Sequence, residues 1–225
     1  LEQALRIKDK FPGTTIHLLT MGPVRAAEII REGLYRGADG GILLTDRAFA
    51  GSDTLATSYA LACAIRKMGN FDIILCGRQA IDGDTAQVGP QVAEKLGIPQ
   101  ITYAEEILDI NETNIKVRRR LERGVETVEC KLPLLITVHG TAPECRPRNA
   151  KAVMKYKRAT CMSERQEMSN DYIYLYNERP YLNIEEWSVN DIDVDINMLG
   201  LSGSPTKVKK IDFIVLQVKE AKRIE

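Results

Sequence analysis

The chain has only two histidines, His17 and His139, and its five cysteines include no C-x-x-C pair, so no Cys/His set of zinc spacing exists. That cysteine usage suits a reducing compartment. No apolar run reaches membrane-spanning length and no signal-peptide pattern is present, so neither membrane insertion nor export is expected. An excess of charge is also missing, since 31 Lys plus Arg balance 31 Asp plus Glu. No global field then draws nucleic acid or an anionic membrane, and any charge effect is local. The Gly-Lys-Ser/Thr of a Walker loop and the dinucleotide G-x-G-x-x-G are absent too.

What is present is a soluble, globular composition, 44% hydrophobic and 28% charged over 225 residues, enough for one large domain with appendages. Periodicity predicts a helix to about residue 10, a strand over 15–19, a helix over 23–35 with Pro23 suited to its first turn, and a strand over 41–45. A helix over 54–68 stops at Gly69. A strand over 71–76, apolar enough to be buried on both faces, precedes a helix over 91–96 that stops at Gly97, and then strand-like 100–103. Alternation at this spacing implies βαβ units, so the fold class is α/β: a parallel-sheet, Rossmann-like domain. Beyond residue 104 the rhythm changes. Segments 105–110, 114–120, 125–131 and 134–139 read as antiparallel hairpins, an extension of the parallel core.

Ligands of such sheets lie beyond the carboxyl ends of the strands. Three segments converge there: Thr20-Met21-Gly22-Pro23, residues 45–57, and the loop that begins at Gly77. The last is the most informative, because it sets Gly77, Arg78, Gln79, Ala80, Ile81, Asp82, Gly83, Asp84, Thr85, Ala86, Gln87 and Val88 between a buried strand and a helix. Thr85 can cap that helix, and its first-turn amides suit an anion. Asp82 and Asp84 argue against a bare anion trap and fit backbone capping, ribose hydroxyls or orientation of Arg78; an ordinary strand-to-helix turn is the competing reading. In the middle segment Ser52, Asp53, Thr54 and Thr57 offer a cap and hydroxyls at a helix start, which an ordinary capped helix would also require.

Elsewhere, Lys116 to Arg120 reads as a solvated sheet edge guarded by charge rather than a nucleic-acid surface, since no aromatics are interleaved. Residues 143–158 read as a proline-broken loop entering a short basic helix, an exposed lever for an acidic partner. Residues 201–208 form a polar turn that suits a ligand contact, a partner contact or a plain turn.

The runs ADGGILLTDRAFAGSDTLATSYALA, LCGRQAIDGDTAQVGPQVAEKLGIPQ, RPRNAKAVMKYKR and LSGSPTKV together resemble the β subunit of electron transfer flavoproteins over nearly the whole chain. Relative to that family a first strand, its loop and part of a helix are expected before Leu1, and a C-terminal arm beyond Glu225. The resemblance implies an adenine-nucleotide-hydrolase-like domain over residues 1–158, with a recognition loop at about 143–158, and an irregular partner-contacting segment over 159–225. It implies pairing with a flavin-carrying α subunit in a bacterial cytoplasm, the bifurcating branch suggesting an anaerobe.

Ordinary members hold AMP with the equivalents of Met21 and Gly77 to Val88, whereas the electron-bifurcating branch holds a second FAD there that accepts hydride from NADH. DRAFAGSDTLATSYA resembles the bifurcating form, which assigns Ser52, Asp53, Thr54 and Thr57 to the flavin, and ferredoxin to one outgoing electron. Arg78 would favour a reduced, anionic flavin through its charge. Docking on a partner, an acyl-CoA or hydroxy-acid dehydrogenase, falls to Arg146, Arg148, Asn149, Ala150, Lys151 and Met154. Ala150 stands where the family commonly has a leucine, and buries less apolar area. An insertion-like stretch, about 161–181, carries Tyr172, Tyr174, Tyr176 and Tyr181 as either a subunit contact or a hydrophobic cluster of its own.

Overall fold

A computed structural model of the chain describes residues 1–166 and 174–207; Tyr172 and residues 208–225 of the expected partner-contacting segment lie outside these residues. Helix α1 (Glu2–Lys10) leads to β1 (His17–Met21), α2 (Ala27–Arg36), β2 (Gly40–Leu44), α3 (Thr54–Met68), β3 (Ile73–Gly77) and α4 (Val88–Leu96). Four strands follow, β4 (Gln100–Ile110), β5 (Asn114–Leu121), β6 (Gly124–Lys131) and β7 (Leu134–Val138). Short helices α5 (Ala150–Tyr156), α6 (Met162–Gln166) and α7 (Tyr174–Glu178) precede β8 (Glu185–Trp187). No helix among the described residues is long and apolar enough to cross a membrane.

Two sheets result. In the first, β1, β2 and β8 pair in parallel, with β2 central. Successive residues of a strand face opposite sides. Leu43 therefore joins the cluster built by Ile30 and Leu34 of α2, while Leu44 joins Phe49 and the α3 residues Ala60, Cys63 and Ala64. Helices thus cover both faces, as a doubly wound sheet requires.

The second sheet has the order β3-β7-β4-β5-β6, parallel across β3, β7 and β4 and antiparallel from β4 to β6. Leu19 of β1 packs against both the α3 cluster and the cluster of Ile74, Cys76 and Val92, so the two sheets share apolar surface.

Four expectations need correction here. Residues 134–138 are no hairpin arm: β7 inserts in parallel between β3 and β4, the position its wholly apolar face requires. Segments 100–103 and 105–110 are one strand, broken in register at Tyr103, whose φ of 59° is accommodated by its amide donating to Thr137 Oγ1 at 3.1 Å. β3 is half-buried, because it ends its sheet among the described residues. Lys116 to Arg120 do not guard an edge, since β5 is interior and β6 is outermost; their charges face acids on neighbouring strands. Arg118 meets Glu106 at 3.0 Å, Arg119 meets Glu126 at 3.2 Å and Lys116 meets Glu129 at 3.8 Å. A smaller difference lies before α2, where Pro23 precedes a 3₁₀ turn (Val24–Ala26) instead of entering the α-helix.

In the described part of the 161–181 stretch Cys161, Leu175 and Tyr176 pack inward, while Met162, Tyr174 and Tyr181 are exposed. Tyr176 is buried in the α2 cluster, its hydroxyl donating to Arg158 O at 3.0 Å, and Tyr181 meets Tyr156 edge-on at 5.9 Å.

Helix α1 is tied to the basic loop by charge. Glu2 accepts from Arg146 Nε and Nη2, each at 3.0 Å, and from the Arg146 amide at 3.0 Å. Chiefly through the Arg146 hydrogen bond, the Glu2 carboxyl is lowered from 4.5 to about 2. A folded-state pKa depressed in this way stabilises the fold above the unfolded value and is lost as pH falls through the folded one. Glu2→Gln is therefore expected to lower stability at neutral pH by about 1–3 kcal/mol. The gap from wild type should close as pH falls from 4.5 to about 2, which denaturation midpoints measured against pH will check.

Candidate functional site

Helices α3 and α4 begin beyond the carboxyl ends of β2 and β3. Helix α3 starts at Thr54 because Asp53 caps it: Oδ1 accepts from the Leu55 amide at 2.9 Å and the Ala56 amide at 3.1 Å. Oδ2 accepts from the Thr206 amide at 3.0 Å. Burial raises the Asp53 pKa, but these backbone donors outweigh it and hold the carboxyl below its ordinary value. The turn carrying Thr206 is locked in place. Gly200, with φ 53°, passes where a Cβ would stand 2.4 Å from Ala48 O, and Ser204 Oγ accepts from the Asp53 amide at 2.8 Å while donating to Gly200 O at 2.6 Å. Residues 200–206 thus brace the start of α3.

Helix α4 starts differently. Thr85 is exposed and does not cap it; the N-cap is Gln87, with no side-chain cap. The helix begins three residues earlier than its apolar pattern, because Pro90 sits in the first turn where a missing N–H costs nothing. The first-turn amides of Val88 and Gly89 have no intrahelical acceptor. With α3 capped by a carboxylate, α4 offers the more open positive end.

The two helix starts touch. Thr54 Oγ1 donates to Gln87 Oε1 at 3.1 Å, and one turn on Ser58 Oγ, which donates to Leu55 O at 2.9 Å, lies 3.2 Å from the Gln91 side-chain amide. The middle segment and the end of the Gly77 loop are thereby in direct contact.

Within the loop the backbone is unusual: Asp84 and Ala86 have φ of 49° and 54°. Asp84 accepts from Gln79 Nε2, and its amide donates to Ala80 O at 3.1 Å, so this carboxylate organises the loop itself. Ala80, Ile81, Asp82 and Gly83 are exposed, whereas Arg78 is half-buried beside His139. Ser52 donates to Phe49 O at 2.7 Å, and Met21 packs on the cluster of Leu44 and Phe49. The Thr57 hydroxyl has no partner among the described residues. Cys76, behind the loop, is pushed up to about 11 by burial and offers no thiolate. No cluster of metal-ligating residues occurs among the described residues.

The residues expected to dock a partner divide in two. Arg146 is held by Glu2 and by Asp9 at 2.8 Å; Arg148 is held by Glu32 at 2.5 Å, with its guanidinium 5.7 Å from the Tyr35 ring centre. Asn149 caps α5, accepting from the Lys151 and Ala152 amides at 2.9 and 3.1 Å. Ala150, Lys151 and Met154 face outward. Sequence reading missed His139 and Tyr103 at the cleft's edge. The signal available was the apolar run 134–138, which as a parallel strand delivers His139 to the same carboxyl end as Arg78.

This is a mixed α/β architecture with a parallel sheet, and residues 1–162 match the model of the electron transfer flavoprotein domain. The electron transfer flavoprotein subunit beta of Megasphaera elsdenii is 45% identical over 94% of this chain and 72% of its own length. That of Clostridium acetobutylicum is 42% identical over 93% of this chain and 71% of its own. Subunit CarD of the caffeyl-CoA reductase-Etf complex of Acetobacterium woodii is 42% identical over 92% of this chain and 70% of its own length. The chain belongs to the electron transfer flavoprotein β-subunit family, and its role is in electron transfer.

Proposed function

We propose that this β subunit holds FAD in the cleft between the Thr54 and Gly77 segments and pairs with a flavin-carrying α subunit in an NADH-dependent, electron-bifurcating complex. The observation that carries this reading is the 3.1 Å hydrogen bond from Thr54 to Gln87, which joins the hydroxyl-rich segment to the phosphate-type loop as one binding surface. The donor set suits a nucleotide with phosphates: first-turn amides at Val88 and Gly89, the Arg78 guanidinium and the Thr57 hydroxyl, while Thr54, its proton given to Gln87, leaves its oxygen as an acceptor for a ribose or ring N–H or O–H. The likeness to CarD of a caffeyl-CoA reductase-Etf complex supports a place beside a flavin-dependent dehydrogenase.

Bound FAD supplies acceptance of hydride from NADH and division of its electrons between a ferredoxin-type acceptor and, through the α-subunit FAD, the partner dehydrogenase. The chain's own residues bind and orient. The α4 amides and Arg78 hold phosphate charge, the Asp84–Gln79 contact shapes the loop, and Thr54 and Thr57 present hydroxyls toward ring or ribose atoms. No side chain is required as acid or base. The outward Ala150, Lys151 and Met154 are the parts of the basic segment free for the dehydrogenase, the arginines serving to fix the segment. On the same reading residues 1–158 form the nucleotide-binding unit and residues from 159 onward the partner-contacting one, in the cytoplasm. A subunit that holds AMP structurally is the competing reading; the same phosphate donors would serve it.

Thr54→Val is expected to weaken β-site FAD about tenfold, by removing the hydroxyl that bridges the two segments through Gln87, and to leave the α-subunit flavin bound. Flavin retention after gel filtration measures this; unchanged β occupancy contradicts the assignment. Anaerobic titration of the intact heterodimer with NADH should bleach flavin, and failure to do so contradicts the donor.

A further inference from the structure

Arg78 leaves the end of β3 and meets His139 at the end of β7, its Nη1 lying 3.2 Å from His139 Nε2. A guanidinium has only donors, so Nε2 must present its lone pair and the ring proton must sit on Nδ1. Nδ1 lies 2.9 Å from Thr141 Oγ1, whose hydroxyl donates to Glu105 Oε1. Glu105 is buried and also accepts from Arg120 Nε at 2.5 Å, with Arg118 at 3.9 Å. The direction of donation is therefore consistent from end to end: Arg78 to His139, His139 to Thr141, Thr141 to Glu105.

The Thr141 amide, 3.2 Å from the same Nδ1, would suit the opposite tautomer. That tautomer would turn an Nε2–H against the guanidinium, two donors with no acceptor between them. The Tyr103 ring packs edge-on to the imidazole at 6.2 Å, and its strained backbone at the break in β4 places it there. The remaining N–H groups of Arg78 have no partner among the described residues.

We propose that His139 is a positioning residue: as the neutral Nδ1–H tautomer it holds Arg78 at the carboxyl edge of the sheet for the phosphates of the nucleotide, and its protonation releases that hold. The groups facing the imidazole are Arg78 from the loop after β3, Tyr103 from β4, and Thr141 backed by Glu105, Arg118 and Arg120. A proton added at Nε2 sets an imidazolium against a guanidinium, and the acceptor that fixed Arg78 is gone. The carboxylate at the far end of the chain, kept below its ordinary pKa first by the Thr141 hydroxyl and then by Arg120, stays charged throughout. The inference rests on the nucleotide reading for its ligand, but not on whether that ligand is FAD or AMP.

The test uses the full-length αβ heterodimer with ¹⁵N-histidine in this subunit. At about pH 8 the His139 ring, assigned through His139→Gln, should show the proton on Nδ1; a proton on Nε2 overturns the proposal. Binding is then followed on nucleotide-stripped heterodimer with adenosine 5′-methylphosphate, whose phosphodiester does not titrate. Its Kd should rise about tenfold between about pH 8 and about pH 5.5. His139→Gln, whose amide oxygen accepts from Arg78 without titrating, should bind tightly at both pH values, and Arg78→Ala weakly at both. A flat wild-type profile overturns the tether, and so does tighter binding in acid, which would make His139 itself the cation for phosphate. Absence of binding at every pH would remove the nucleotide reading instead, a result distinct from binding without pH dependence.

Discussion

Gly89→Ala is expected to destabilise the subunit by about 1–3 kcal/mol, the range for forcing a methyl group into a packed interior, and to weaken nucleotide binding with it. A Cβ at this position would stand 2.6 Å from Thr137 Cγ2, with Leu135 Cδ2 and Cys76 Cβ at 3.6 and 3.7 Å. Thr137 cannot easily yield. Its side chain is β-branched, buried, and held by the Tyr103 amide on Oγ1 at 3.1 Å. The helix must move instead, and Gly89 lies in the first turn of α4, so the displaced groups are the open amides and the Gln87–Thr54 bridge. Chemical denaturation and nucleotide affinity should therefore change together. A variant with an unshifted midpoint would show that α4 does not pack on β7 as closely as described.

Leu135→Ala should cost about 3–4 kcal/mol, within the range for truncating a buried leucine whose cavity cannot collapse. Leu135 is fully buried on the central parallel strand, paired in register with Ile74 on one side and Gln100 on the other. It packs against Val92 and Ala93 of α4 and Ile65 of α3, linking both helices of the site to the sheet. The strands flanking it restrict relaxation. A urea titration that gave a loss below about 1 kcal/mol would contradict the placement of β7 as a central strand.

These two residues mark where sequence reading reached its limit. Helix α3 was legible to the residue, because its signals are local: Asp53 caps it and Gly69 ends it. The antiparallel pairing of residues 105–110, β5 and β6 was legible for the same reason, with turns at Asn111 to Thr113 and at Glu122-Arg123. The parallel pairing of β7 was not, because an apolar run of five residues fits a hairpin arm and a central strand equally well. Its partners, β3 and β4, are set by topology.

Long-range charge pairing was illegible as well. Arg146 and Arg148 read as exposed levers until Glu2, Asp9 and Glu32, distant in sequence, proved to hold them. Of the site, the strand, glycine and helix pattern located the Gly77 loop, whereas the Thr54–Gln87 bridge and the Arg78–His139 contact depend on side chains meeting across elements. Thr85 was the natural cap by residue type, yet Pro90 shifted the helix start toward Gln87.

The central claim, that the cleft of this subunit holds FAD, is tested most directly by the nucleotide content of the intact heterodimer. Full-length chains purified together, denatured and resolved by chromatography, should release two FAD per αβ pair and no AMP. One FAD with one AMP would contradict the account and leave a subunit that binds its nucleotide only as structure.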